Sequence, residues 1–376
     1  MAGTHKLKVL LQSRLDTPYN PAGDTIHLKE LRNRLHKLGV STSISYDLKP
    51  NVNKFDIIHI FNISRPYETY IQLKNAKESG KKVVLMPIFQ NHDEWNKKGS
   101  IGISGTFFKL LPSQNSIQFI KNIGRCILDR SLLPTIPVQF TRSYLFLQKY
   151  IIENSNYVFL TTLSEKKDIE LRLKIKIKKY NITPSGVDRG FSEAKPHMFI
   201  KKYKISNFIL CVANFHSLKN HLSLIKAMQE VHLPLVLIGN RVKTYASYYD
   251  KIIKTTSKNP NIIIVTGIAR ELLQSAYAAA KVHVLPSWAE NSPLVTLEAA
   301  VAGCNIVTTT RSYGNEFLKD NVWYCEPNDI QSIKKAILSA YNAKPNIVFK
   351  NYILNHFTWE KVAEKTLKYY KSILKE

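Results

Sequence analysis

Short apolar runs alternate with amphipathic segments along this 376-residue chain, and this alternation restricts the fold more than any other feature of the sequence. Apolar runs such as Ile57 to Phe61 and Val83 to Ile88 are typical of strands that are buried on both faces. The segment Thr25 to Leu38 has apolar residues at helical spacing, and Gly39 follows it as a residue suited to a helix end. Strands that alternate with helices predict an α/β fold with parallel sheets covered on both faces.

The alternation stops near the middle of the chain and then begins again. It breaks at Ser185-Gly186-Val187-Asp188 and restarts with the apolar run Phe208 to Ala213. The length of the chain also exceeds what one ordinary core holds. We therefore predict two doubly wound α/β domains, one over residues 1–188 and one over residues 189–357.

The net charge and the cysteine content limit which binding partners and which cellular compartment fit this sequence. The formal net charge is +26, which favours anionic partners: nucleic acid, anionic lipid headgroups or phosphorylated substrates. The four cysteines are scattered without a C-x-x-C pair, which argues against a zinc site and suits a reducing cytosol. No apolar run approaches the roughly 18 residues of a membrane span. We expect a cytoplasmic protein, and an anionic membrane surface is a candidate peripheral partner.

A pair of glutamates near residue 290 indicates the chemistry. They follow the strand-like run Val282 to Pro286, and between them Ser292 suits a helix N-cap and Pro293 the first helical position. A helix that begins just after a strand presents free N–H groups and a positive dipole to an anion such as a phosphate. Glu290 and Glu298 straddle this point, and carboxylates are strong acceptors for sugar hydroxyls. The layout predicts a nucleotide-sugar site.

Several motifs in chain order resemble the retaining nucleotide-sugar glycosyltransferases of glycosyltransferase family 4. The resemblance is strong from about residue 180 onward and weaker before it. The motifs are Ser185-Gly186-Val187-Asp188, Val212 to Asn220, Val236-Leu237-Ile238-Gly239, Val265-Thr266-Gly267, Glu290 with Glu298, Ala302-Gly303-Cys304 and Phe357-Thr358-Trp359.

The resemblance implies the GT-B fold, in which two Rossmann-like domains face each other across a cleft. It also implies that the closing helix, within residues 358–376, returns to the first domain. The implied activity is retaining transfer of a sugar from a nucleotide-diphosphate donor to a glycan or lipid-linked acceptor, in the assembly of a bacterial surface glycan. The second domain would bind the donor and the first domain the acceptor.

The resemblance also gives roles to side chains. Lys219 would neutralise the donor diphosphate as a compact charge. Glu290 would lie near the donor sugar and the reacting face, and Glu298 would bind the donor ribose hydroxyls. His92, just beyond the predicted Val83 to Ile88 strand, would touch the transferred sugar. Asn214 stands where the family usually has an arginine, so the leaving diphosphate has one fixed charge fewer, unless a nearby cation substitutes. The candidates for that substitution are Arg241, Lys243 and Arg270.

Backbone groups supply the remaining predicted donor contacts. Gly239 and Gly267 each end a strand, where open α/β sheets bind ligands. Gly23 lies in the first strand–helix loop, where the backbone would approach the donor phosphate. The other candidates are the N–H groups of Ser292, Leu294 and Val295 as a phosphate cradle, and the backbone of Ile268 as a contact to the base.

The sequence has no D-x-D motif, which metal-dependent transferases use to hold a cation. We therefore expect a metal-independent reaction without a cofactor, in which protein charges stabilise the leaving group. Two alternatives stay open. Asn214 raises the possibility of a weakened transferase that serves as a partner subunit. The charge alone would permit a nucleic-acid-binding protein, but no helix-turn-helix, RNP-like or zinc spacing supports it, and we expect no nucleic-acid partner.

Basic and apolar residues mix in two segments of the first half. Between Lys166 and Lys179 the commoner interpretation is a solvated face with apolar residues in the core. The segment Phe107 to Leu133 could instead lie in a membrane interface as an amphipathic element. This mixture motivates the hypothesis that the first half docks on the cytoplasmic membrane to reach a lipid-linked acceptor.

Overall fold

The computed structural model describes residues 6–100, 113–229, 231–257 and 259–375 of the chain. The chain forms two compact units. Unit 1 comprises Met1–Gln90, Leu111–Ser185 and Trp359–Glu376, and unit 2 comprises Asn91–Leu110 and Gly186–Thr358. The sequence prediction assigned residues 91–110 to the first domain, whereas their described part, residues 91–100, packs within unit 2.

Unit 1 is built on a six-stranded parallel sheet in the order β2-β1-β3-β4-β5-β6. The strands are β1 (Lys8–Gln12), β2 (Ser41–Ser45), β3 (Ile57–Phe61), β4 (Lys82–Met86), β5 (Tyr157–Leu160) and β6 (Tyr180–Ile182). From β1 the chain moves first to one side of the sheet, to β2, and then to the other, to β3. The topological switch point of unit 1 therefore lies between β1 and β3.

Unit 2 repeats this plan with the order β12-β11-β10-β7-β8-β9. The strands are β7 (Phe208–Val212), β8 (Leu235–Ile238), β9 (Ile262–Val265), β10 (Ala280–Leu285), β11 (Asn305–Thr309) and β12 (Trp323–Cys325). The chain runs outward from β7 through β8 to β9, and then outward from β10 on the other side. The switch point of unit 2 therefore lies between β7 and β10, and open α/β sheets bind ligands at such a point.

Helices cover both sheets, and in the described parts of the chain none is long and apolar enough to cross a bilayer. The helices are α1 (Gly23–Lys37), α2 (Pro66–Glu78), α3 (Gln114–Leu128), α4 (Ile136–Thr141), α5 (Tyr144–Asn154), α6 (Leu163–Leu173), α7 (Gly190–Glu193), α8 (His197–Tyr203), α9 (His221–Ala227), α10 (Ala246–Thr256), α11 (Arg270–Ala279), α12 (Leu294–Ala302), α13 (Asn315–Leu318), α14 (Ile330–Asn342), α15 (Ile347–His356) and α16 (Trp359–Ile373).

The two doubly wound sheets confirm the predicted fold class, and the best-predicted strands are those made of apolar runs. β3 has the bounds that the sequence predicts, because its run of apolar residues is buried within its own unit. β2 is missed, because Ser41–Ser45 is polar, only partly buried and at the edge of its sheet. α1 begins at Gly23, two residues before the predicted start at Thr25.

The closing helix α16 belongs to unit 1. Its fully buried Tyr370 has its hydroxyl 2.5 Å from Nδ1 of the equally buried His59. Nearer its start, Glu360 pairs with Arg34 of α1 at 2.8 Å. The final helix thus completes the core of the unit in which the chain begins.

Candidate functional site

Two loops meet at the switch point of unit 2, because parallel strands end at the same edge of a sheet. One follows β7 and the other follows β10. The Trp288 N–H donates to the Leu218 carbonyl at 2.9 Å. The side-chain amide of Asn220 donates to the carbonyls of Pro286 at 3.1 Å and Pro327 at 2.7 Å. Asn220 has φ of 61°, a left-handed conformation that asparagine tolerates better than most residues. The loop after β7 is therefore fixed against the loop after β10.

This arrangement brings together two of the predicted catalytic residues, Lys219 and Glu290. Lys219 ends the 3-10 turn Ser217–Lys219, and its Nζ lies 2.5 Å from Oε1 of Glu290. The Glu290 side chain is 4% exposed and that of Lys219 is 25% exposed, so the lysine faces the more open side of the pair. Lys219 supplies the nearest positive charge to a carboxylate that is almost removed from water.

A third loop, after β11, holds Glu290 from its backbone side. The Glu290 N–H donates to the Arg311 carbonyl at 3.2 Å, and the Tyr313 N–H donates to the Glu290 carbonyl at 3.1 Å. The next bond joins the Gly314 N–H to the Asn291 carbonyl at 2.9 Å. Glu290 and Asn291 are therefore paired as extended chain with the segment after the neighbouring strand. Sequence reasoning missed this loop, although β11 is the next strand of the sheet.

The predicted start of the following helix is wrong by about one residue. α12 begins at Leu294, and Pro293 rather than Ser292 is its N-cap, with an extended ψ of 110°. The pairing of Glu290 and Asn291 with the β11 loop keeps the chain extended up to this point, so the helix begins later. The first-turn N–H groups of Leu294 and Val295 have no acceptor within the helix, as at any helix start. Ser292 precedes the helix and is 9% exposed.

Glu298 lies in the second turn of α12 and is partly buried. The Tyr277 hydroxyl, on α11, donates to its Oε2 at 3.0 Å. Burial raises the pKa of Glu298 to about 7, although the hydrogen bond from Tyr277 and the charge of Arg270 both favour the ionised form. A partly buried carboxylate that titrates near neutrality is typical of a functional site. Tyr277 was missed because nothing in its sequence surroundings points to Glu298.

His92 lies in unit 2, in the described part of residues 91–110. Its ring packs edge-to-face on Trp95, with centroids 5.7 Å apart. Trp95 begins a π-helical turn, Trp95–Gly99, and its indole N–H donates to Oγ of Ser217 at 3.3 Å. Trp95 also packs with the buried cluster of Leu218, Trp288 and Ala289. His92 is thereby placed beside the turn that carries Lys219.

An ion pair further attaches this segment to unit 2. Glu94 accepts from Nε of Arg311 at 2.5 Å, and the Arg311 carbonyl is the acceptor for the Glu290 N–H. Bonding to Arg311 lowers the pKa of Glu94. Chain order alone gave no signal for these contacts, because they join positions 217 residues apart.

The predicted glycines occupy three different environments. A Cβ on Gly239 would lie 1.9 Å from the Ala213 carbonyl oxygen, so the close approach that requires glycine comes from the loop after β7. Gly267 has φ of +62° with open space around its Cα, which is turn geometry. Gly23 lies in unit 1, exposed, at the first position of α1. Ile268 is half-buried and packs on the core of unit 2.

Asn214 takes part in a chain of bonds that links three loops. Its Oδ1 accepts from the Asn240 N–H at 3.3 Å, and Asn240 Oδ1 accepts from the Gly267 N–H at 3.4 Å. Two of the cations considered as substitutes for the missing arginine have carboxylate partners. Arg270 pairs with Asp188 at 2.8 Å, and Arg241 with Asp250 at 3.7 Å.

The polar groups at this site are one lysine ammonium, two glutamate carboxylates and backbone N–H groups. In the described ranges, no three His, Cys, Asp or Glu side chains are grouped so that they could hold a metal ion. The four cysteines are buried and unbridged. A lysine beside a helix start can attract a diphosphate, and Glu298 can accept from hydroxyls.

Solved structures with the same fold are numerous, and three show how far the likeness extends. Sucrose-phosphate synthase from Thermosynechococcus elongatus has a TM-score of 0.72 and 15% identity over 98% of this chain and 99% of its own. A glycosyltransferase from Rickettsia africae has a TM-score of 0.69 and 15% identity over 99% of this chain and 100% of its own. Anabaena HepE in complex with UDP-glucose has a TM-score of 0.69 and 11% identity over 97% of this chain and 100% of its own.

These likenesses and the two six-stranded sheets show the GT-B fold. Residues 195–350, which contain all six strands of the second sheet together with Lys219, Glu290 and Glu298, match the model of the family "Glycosyl transferases group 1". The match lies within unit 2, so this unit is similar to that family. No curated protein sequence matches the chain.

Proposed function

We propose that this protein is a retaining glycosyltransferase that moves a sugar from a nucleotide-diphosphate donor to a glycan or lipid-linked acceptor. The observation that carries the proposal is the Lys219–Glu290 pair at the switch point of unit 2, beside the first turn of α12. HepE has been solved in complex with UDP and with UDP-glucose, and this supports a nucleotide sugar as the donor here.

The donor diphosphate would accept hydrogen bonds from the N–H groups of Leu294 and Val295 and from the ammonium of Lys219. An ammonium has three donors, so Lys219 can contact Glu290 and a phosphate oxygen together. As the bond between the sugar and the diphosphate breaks, negative charge grows on the leaving oxygen, and these fixed groups stabilise it. Glu298 would accept from the ribose hydroxyls, and His92 would contact the transferred sugar. The other predicted contacts to the donor, which stay predictions, are Gly23, Asn214, Gly239, Gly267 and Ile268.

Nucleotide binding is the first test. We expect one base to stand out in a thermal-shift panel of nucleoside diphosphates and nucleotide sugars, because a ligand at one hundred times its Kd stabilises the folded state by about 2.7 kcal/mol. A panel in which no nucleotide raises the Tm would contradict the proposal. Binding without turnover would favour the partner-subunit alternative, and stabilisation by nucleic acid alone would favour the nucleic-acid-binding alternative.

We also propose that the reaction needs neither a metal ion nor a cofactor, since Lys219 and the start of α12 supply positive charge at the leaving group. Transfer should therefore continue in excess EDTA, and loss of activity that Mg²⁺ or Mn²⁺ restores would refute this part. The retaining outcome rests on the sequence resemblance, and the anomeric configuration of the product, read by NMR, decides it.

We further propose that unit 1 docks on the anionic cytoplasmic membrane, where a lipid-linked acceptor lies. Support comes from α3 to α5, where Ile127, Leu128 and Phe140 are 75%, 83% and 68% exposed and Arg130 is exposed nearby. Residues 107–112 of the predicted amphipathic element, Phe107 to Leu133, lie outside the described residues. In the other basic segment, Ile169, Ile175 and Ile177 are buried, which supports a solvated face there.

Vesicle flotation tests the docking surface. We expect the protein to float with anionic vesicles, and the pair Leu128→Glu with Phe140→Glu to abolish flotation, because each substitution places a charge in the interface. Val348→Glu is the matched control, since Val348 is 79% exposed and lies in unit 2. Equal recovery with anionic and neutral vesicles, or equal loss with the control, would remove the idea.

A further inference from the structure

The switch point of unit 1 carries a group of charged side chains in the loops after β1 and β3. Arg14 pairs with Asp16 at 3.0 Å and with Asp24 at 2.9 Å. Arg65 pairs with Asp16 at 2.6 Å and with Glu68 at 3.4 Å. Carboxylates of these two loops and of the helices that follow them, α1 and α2, thus neutralise both arginines.

A third arginine beside this group has no such partner. Arg125, on α3, is partly buried, and among the described residues no carboxylate lies within 4.0 Å of its guanidinium. Burial, followed by the charge of Arg65, lowers the pKa of Arg125 to about 10, and the charges of Glu68 and Asp16 only partly offset this. A partly buried charge without a carboxylate partner costs free energy, so its presence points to an anion that is bound there in the working protein.

Polar side chains near Arg125 lie beside the loop that follows β3. The buried Tyr144 donates its hydroxyl to the Ser64 carbonyl at 3.3 Å and accepts from the Gln148 amide at 3.1 Å. The Tyr67 ring packs against Tyr144, with centroids 6.5 Å apart. Lys121 precedes Arg125 by one helical turn and therefore shares its face of α3. A second cation thus accompanies the guanidinium.

We propose that Arg125 binds a phosphate group carried by the acceptor, so that the acceptor is a sugar phosphate or a phosphate-bearing lipid. This rests on the proposed function, in which unit 1 binds the acceptor. A guanidinium presents a rigid fork of donors that matches two phosphate oxygens, which distinguishes this site from a general positive surface. The location fits as well, because ligands of open α/β sheets lie at the switch point.

The experiment measures Arg125 itself, since unit 2 also offers a phosphate site. Wild-type protein without nucleotide is treated with phenylglyoxal, and the modification rate of each arginine is read by peptide mass spectrometry. We expect Arg125 to be modified quickly and inorganic phosphate to slow its modification, while the exposed Arg130 is unaffected beyond general salt effects. An unchanged rate at Arg125 in saturating phosphate overturns the proposal.

Two further arms separate the sources of the phosphate. Glucose 6-phosphate is compared with glucose, and vesicles containing phosphatidic acid are compared with phosphatidylcholine vesicles. Protection by glucose 6-phosphate assigns a soluble sugar phosphate, protection by phosphatidic acid alone assigns a lipid, and protection by neither overturns the proposal. Because no nucleotide is present, these results are independent of the nucleotide panel that tests the proposed function.

Variants distinguish binding from a structural role. Arg125→Gln should weaken phosphate binding at this site by roughly tenfold to a hundredfold, as expected for loss of hydrogen bonds to a charged group. Arg130→Gln, with the same charge change at an exposed position, should not. Arg125→Gln should also keep or raise the Tm, because the charge is desolvated and unpaired. A lower Tm that Glu68→Gln restores, without any change in phosphate binding, would instead make Arg125 a structural counter-charge.

Discussion

Replacing Lys219 by methionine is expected to lower sugar transfer by at least roughly a hundredfold and to destabilise unit 2 by roughly 3 kcal/mol. Transfer falls because the leaving diphosphate loses its nearest cation. The free energy of unfolding falls because Glu290, whose side chain is only 4% exposed, loses its counter-ion. Steady-state turnover and chemical denaturation measure the two effects separately.

A second substitution separates these effects. Adding Glu290→Gln to Lys219→Met removes the buried charge, so we expect most of the lost stability to return while transfer stays low. Lys254→Met is the control, because Lys254 is exposed on α10 in the same unit. If Lys219→Met kept wild-type turnover, the proposed donor site would be wrong. If Lys219→Met lost turnover but no stability, the ion pair would not contribute to the free energy of unfolding.

The pairing of Lys219 with Glu290 shows what the sequence could and could not predict. Apolar runs such as β3 are recognisable because a strand buried on both faces leaves little room for polar residues. The order of strands in a sheet has no such local signal, and the two residues meet only because β7 and β10 are neighbours at the switch point. Resemblance to a family, rather than spacing, brought these residues into one predicted site.

Long-range side-chain partners were the hardest to predict. Tyr277 and Glu298 lie on different helices, and Trp95 reaches Ser217 across 122 positions of sequence. The segment around Trp95 was assigned to the first domain by chain order, yet its indole and the Glu94–Arg311 pair attach it to unit 2. The start of α12 was misplaced for a similar reason, since the β11 loop keeps the preceding residues extended.

The second large prediction concerns Glu298. Its replacement is expected to stabilise the folded protein above neutral pH, whereas replacement of Lys219 is expected to destabilise it. Burial raises the pKa of Glu298 from 4.5 to about 7 in the folded protein. The folded state therefore binds a proton that the unfolded chain releases, and stability falls as pH rises from about 4.5 to about 7. Above that range the ionised carboxylate costs about 3 kcal/mol. Glu298→Gln should therefore raise the Tm at pH 8 and leave it nearly unchanged at pH 4.5.

The same substitution should weaken nucleotide binding. A carboxylate accepts from two ribose hydroxyls, whereas an amide has one acceptor oxygen. Wild-type affinity should also fall as pH decreases from 8 to 6 and Glu298 takes up a proton, while the Glu298→Gln profile stays flat. Glu271→Gln, on the exposed face of α11, is the control. A variant that is less stable at pH 8, or that keeps the wild-type pH profile, would show that Glu298 supports the fold of α12 rather than the nucleotide. Stability gained together with affinity lost would instead show that this carboxylate is retained for the ligand, at a cost to the free protein.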